Sequence, residues 1–128
     1  MSSRMGIQSE EHRGQPRLRV PAMYTLLRVR PAGASRYCWT GHIYDISLTG
    51  MRFELDAPLE PGTRVEVRGM LPGMTHTLFR ATGRIIRLHE DTPDVVPVRM
   101  GMTLDQFQSD IDRLRLADYL SKANLRAA

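Results

Sequence analysis

Six short stretches of alternating apolar and polar residues, separated by polar, proline- or glycine-containing turns, precede one stretch with helical periodicity. That order restricts the fold more than any other property of the chain. Alternation with a period of two marks a strand with one face buried, and a period near 3.6 marks an amphipathic helix. Strands are expected at about 23–30, 37–46, 51–55, 63–68, 78–88 and 95–103. In the first, Leu27 and Val29 face one side and Arg28 and Arg30 the other; in the fourth, Val65 and Val67 alternate with Arg64, Glu66 and Arg68. Gly83 suggests a bulge or tight corner in the fifth, and Pro97 an irregular start to the sixth. Phe107, Ile111, Leu114 and Ala117 then recur at helical spacing, predicting a helix over about 106–121 with Asp105 as its cap and Gln108 at the capping-box position. Closely spaced strands need their edges protected, which favours a closed antiparallel barrel with the helix plugging one end. The fold class is all-β, a six-stranded barrel with a C-terminal helix.

The 128 residues suit one domain, which can bury a core without metal or disulfide. Residues 1–12 read as a flexible tail, 13–121 as the folded domain and 122–128 as a second tail. No apolar run reaches membrane-span length, so no membrane insertion is expected. The first residues lack the apolar stretch of a signal peptide, and Cys38 is the single cysteine. Both fit a cytoplasmic location.

Charge is distributed unevenly. The net charge is +4, yet residues 1–36 hold seven arginines against two acids, while the remainder is almost neutral. A basic segment on a neutral body suits an anion site better than a broad nucleic-acid surface. Within it stand Arg13 and Arg17, spaced by Gly14, Gln15 and Pro16, with Arg19 one strand step further. A guanidinium offers a planar fork to phosphate oxygens and a flat face to a purine. The turn Asp45-Ile-Ser47-Leu-Thr-Gly50 follows the second strand. Asp45 beside phosphate would be repelled, so it is expected to face a base edge such as that of guanine, or to pair with an arginine. Ser47 can donate or accept, and Gly50 allows a left-handed or crowded backbone.

Arg13-x-x-x-Arg17 followed by Asp45-x-Ser47-x-x-Gly50 resembles the PilZ domain, the bacterial cyclic di-GMP receptor module. Leu59-x-Pro61-Gly62-Thr63, Ala81-x-Gly83-Arg84-Ile-Ile, Met100-Gly101-Met102 and the final helix extend the likeness over roughly residues 11–121. The resemblance implies that Arg13 and Arg17 clasp the phosphates and guanines of cyclic di-GMP, as one molecule or a stacked pair. It further implies that Asp45 and Ser47 receive a guanine, that Gly50 shapes their turn, and that the segment before the barrel folds over the ligand and signals to a partner protein. The protein would be a monomer or a dimer influenced by ligand. His12 stands where many members carry another arginine; it, Arg19 and Arg84 are further candidate contacts.

Enzyme chemistry has little support. Ser47 lacks a nucleophile elbow, no glycine-rich phosphate loop is present, and His12, His42, His76 and His89 are not spaced as metal ligands. Neither a catalytic function nor a cofactor is therefore expected, the ligand being cyclic di-GMP. A ligand-independent PilZ-like adaptor is the alternative. A single-strand nucleic-acid barrel ranks third, because it would need several stacking aromatics and a broad basic groove, and no DNA partner is expected. Trp39 reads as a structural aromatic.

Overall fold

A computed structural model describes residues 17–73, 76–86 and 98–127, with side chains as far as Ala123. His12 and Arg13 lie outside the described residues, as do the expected N-terminal tail, the end of the fifth expected strand and the start of the sixth. The elements are β1 (Leu18–Arg19), a 3₁₀ turn (Ala22–Tyr24), β2 (Leu26–Pro31), β3 (Trp39–Ile46), β4 (Gly50–Leu55), β5 (Arg64–Leu71), β6 (Thr77–Ile86), β7 (Val98–Thr103), β8 (Gln106–Phe107) and α1 (Asp110–Ala127).

Six strands close into an antiparallel ring in the order β3-β2-β5-β6-β7-β4, with β4 returning to β3. The expected barrel is therefore present. The alternating patterns place Leu27, Val29, Ile43, Phe53, Val65, Val67, Phe79 and Ile85 inside, each at most 2% exposed. Met51, Met100 and Met102 pack among them, with Ile46, Leu55 and Leu71, a use suited to adaptable methionine side chains. β1 extends the ring by pairing with the C-terminal end of β3, Leu18 opposite Ile46 and Arg19 opposite Asp45. β6 bends so that its middle pairs with β8 (Ala81 opposite Phe107) and its end with β7 (Ile85 opposite Met102). Gly83 lies at that bend, and a Cβ there would overlap the Thr103 carbonyl. The corner expected at Gly83 is thus a close approach of two backbones.

Four expectations need correction. Met23 and Tyr24 belong to the 3₁₀ turn, not to the first long strand. Phe107 pairs with β6 as part of β8, so the helix begins at Asp110 rather than near 106. Ser109, not Asp105, caps it: its Oγ accepts from the Asp112 amide at 3.3 Å and donates to Asp112 Oδ2 at 2.6 Å. The helix also continues to Ala127, through most of the expected tail.

The helix face is rotated as well. Ile111 and Leu114 are 59% and 61% exposed, whereas Asp112, Leu116 and Leu120 face the barrel. Asp112 is buried because it has partners. The Arg80 amide donates to its Oδ1 at 2.9 Å, and the Arg80 guanidinium stands at 3.5 Å. Burial pushes this carboxyl up, but the bonds from Ser109 and Arg80 outweigh burial and hold it below the usual aspartate range.

A depressed carboxyl adds stability above its unfolded value, and this is lost as pH falls through the folded one. Asp112→Asn should therefore lower stability at pH 7 by about 1–3 kcal/mol and flatten the loss of stability below about pH 4, as read by urea unfolding across pH. Gly83→Ala should cost at least about 3 kcal/mol in the same assay, since the atom it would meet is backbone.

Candidate functional site

The bulge in β3 builds the site. Alternation from Gly41 and Ile43, both inward, would turn Asp45 inward too. The register shifts between Ile43 and Asp45: Ile43 faces Phe53, while Asp45 faces Arg52. One extra residue, Tyr44, is accommodated, and Asp45 emerges on the outer face opposite an arginine. Ile46 then returns to the core opposite Met51.

Asp45 is clamped there. Arg17 Nη1 donates to Oδ1 at 2.9 Å and Arg52 Nε donates to Oδ2 at 2.8 Å. The carboxylate is only 8% exposed, against 37% for Arg17 and 54% for Arg52. Each oxygen thus has its own guanidinium, which a nearly buried carboxylate requires. Of the two alternatives open for Asp45, the structure realises pairing with arginine, and the partner is the second arginine of the N-terminal motif.

Ser47 is buried, and its hydroxyl organises the turn. Oγ accepts from the Thr49 amide at 3.2 Å and lies 3.3 Å from the Gly50 carbonyl, which also accepts from the Ser47 amide at 2.9 Å. Gly50 lacks the positive φ of a left-handed residue, which among the described glycines belongs to Gly33 and Gly62. Its requirement is space: a Cβ would stand 3.0 Å from the Met102 carbonyl and 3.8 Å from Arg17 Nη2. A Cβ at Gly50 would press on the β7 backbone and touch the guanidinium of Arg17 at ordinary contact distance.

Beside the clamp, a cleft of about 340 Å³ opens between Arg19, Tyr44, Asp45, Arg52 and Arg99, with Val20, Phe53 and Met100 beneath. The Arg99 guanidinium lies 4.4 Å from the Tyr44 ring centroid. The Tyr44 hydroxyl donates to Glu54, a bond that raises its pKa above the ordinary value by penalising the phenolate. The cleft combines three arginines with a tyrosine face, a chemistry suited to phosphate and a flat base. Arg19 therefore joins the site. Arg84 does not touch it: its side chain points outward from β6, and its amide donates to Thr103 Oγ1 at 3.0 Å.

Tyr44, Arg52 and Arg99 were absent from the sequence-based candidates. Arg52 and Arg99 carried a usable signal, since each lies two residues along a strand from a glycine, Gly50 or Gly101, on the same outer face. Tyr44 carried none, because its placement follows from the bulge. Among the described residues no group of acids, histidines and cysteine could hold a metal ion, and no helix is long and apolar enough to cross a membrane.

Comparison with known proteins agrees with the fold. No curated protein gives a significant match. Among solved structures, the Bacillus subtilis inhibitor of motility MotI/DgrA superposes with a TM-score of 0.65 at 18% identity, covering 89% of this chain and 51% of that one. The chain thus spans about half the length of that protein, and the likeness concerns the fold. The PilZ domain model matches residues 11–122. Because that model covers most of the chain and the barrel and helix agree with it, this chain belongs to the PilZ domain family.

Proposed function

We propose that the chain is a non-enzymatic receptor for cyclic di-GMP whose free form is held closed by the Arg17–Asp45 ion pair. Family membership supports a cyclic di-GMP-binding module or a PilZ-like adaptor in general. The observation that carries the finer reading is the clamp itself. The arginine that would grip a phosphate and the carboxylate that would meet a guanine edge already hold each other at 2.9 Å.

Ligand entry then exchanges partners. A phosphate diester takes the Arg17 guanidinium and the guanine N1–H and amino group take the freed Asp45 oxygen, while Arg52 stays on the other. Each new bond is charge-assisted, so the exchange conserves strong pairing while adding base stacking. Arg13 would supply the second guanidinium of the clasp, with His12 beside it. Ser47 and Gly50 act by holding the turn and leaving room. Arg19 and Arg99 would neutralise the remaining phosphate charge. The change in Arg17 draws on the segment before β1, and its new position is what a downstream partner protein would recognise. Cyclic di-GMP would serve as signal, with no cofactor and no chemistry performed on it.

The same clamp supports the adaptor reading. Asp45 is fully partnered without any ligand, so the barrel needs none for its integrity.

Calorimetric titration with cyclic di-GMP at near-physiological salt separates the two. The receptor reading expects saturable binding that weakens at least about tenfold in Arg17→Ala and Asp45→Ala, with stoichiometry distinguishing one ligand from a stacked pair. Absence of heat and of competition at tens of micromolar would sink it and leave the adaptor. Amide exchange offers a second check. The Val20 amide, which donates to the Tyr44 carbonyl at 2.9 Å, should exchange more slowly when ligand orders the preceding segment.

A further inference from the structure

The half of the ring opposite the clamp carries an arrangement that the ligand site does not use. Arg28 on β2 stands directly opposite Arg68 on β5, which stands directly opposite Arg80 on β6. All three are exposed. Like charges at facing positions of a sheet repel and weaken it. Arg80 is partly compensated by Asp112, but Arg28 and Arg68 have no acidic partner among the described residues. One step of two residues along the same strands lies a second row, Leu26 opposite Met70 opposite Leu78. It is apolar and incompletely covered, with Leu78 39% exposed. The apolar row, with Arg28 and Arg68 of the other, lines a groove of about 330 Å³, and Arg80 stands beside it.

We propose that this face is a docking surface for an acidic amphipathic helix of a partner protein, laid across the strands. The spacing selects a helix. Neighbouring strands are about 4.8 Å apart, so the three guanidinium groups spring from points at that interval. Carboxylates at i, i+3 or i+4, and i+7 of a helix recur at about 5–6 Å along one line. A helix crossing the strands therefore sets one acid on each arginine. Its adjacent stripe, if apolar, falls on the Leu26–Met70–Leu78 row, about 6–7 Å away. Among the described residues the closed ring leaves no long free edge for strand addition, which directs a partner to a face. Charge complementarity names the acidic character, and the apolar row separates a protein helix from a simple polyanion. The surface stands apart from the Asp45 clamp and does not depend on what binds there.

The test uses the full chain and a labelled synthetic helix of about 20 residues, with glutamates along one line and leucines along the next, followed by fluorescence anisotropy. Binding on the order of 10–100 µM is expected, weakened at least tenfold by Arg28→Glu with Arg68→Glu and by Met70→Asp, and unchanged in Arg17→Ala. A matching peptide with lysine in place of glutamate should bind the doubly reversed protein, a rescue that a misfolded variant could not give. Equal affinity for a peptide of scrambled order, tighter binding of single-stranded DNA of equal charge, or failure of the lysine peptide to rescue would each overturn the proposal.

Discussion

A carboxylate that is 8% exposed needs counter-charge on both oxygens, and the organisation of this protein around Asp45 follows from meeting that need. Three local features converge on it. The bulge at Tyr44 turns Asp45 outward, the β3–β4 register brings Arg52 opposite, and the β1–β3 pairing delivers Arg17 from the N-terminal side. None of the three is sufficient. Without the bulge the carboxylate would enter the apolar core; without β1 one oxygen would lose its donor. β1, tied to β3 by two residue pairs and by the bond from the Val20 amide to the Tyr44 carbonyl, is thereby joined to the barrel by a charged contact as well.

The barrel was legible in the sequence because its determinants are local. Leu27/Val29 and Val65/Val67 alternate with arginines, and alternation reports the pleat directly. The elements misread were those decided by distant partners. Phe107 has helical spacing to Ile111, but its backbone finds β6 and remains extended. Ile111 and Leu114 are the apolar residues a helical stripe would bury, yet Ser109 and the Arg80 amide draw Asp112 inward and rotate the face away. Hydrophobic pattern lost there to satisfaction of a buried polar group, which the pattern cannot display.

The site divides similarly. Arg17, Asp45, Ser47 and Gly50 were recognisable by type, order and spacing, but their division of labour was not. Ser47, a plausible ligand contact by chemistry, spends its hydroxyl on the turn. Gly50 is required for room rather than for left-handed backbone. Tyr44 depends on a bulge that no residue in Ile43-Tyr44-Asp45 announces, since bulges arise from the pairing of two strands and not from one of them.

Closure also decides where a change can travel. A six-stranded ring with a packed interior resists deformation, because any strand that moves must break ladders on both sides. β1 is different. It is held by two residue pairs, by the bond from the Val20 amide to the Tyr44 carbonyl, and by the clamp at Arg17. It is also the strand that touches both β3 and α1. Moving Arg17 from Asp45 to a ligand phosphate would exchange one of those few ties while leaving every ladder of the ring intact. In the receptor reading, the change would therefore be confined to β1 and the segment before it, on the outside of a barrel whose rigidity keeps the rest of the surface unchanged.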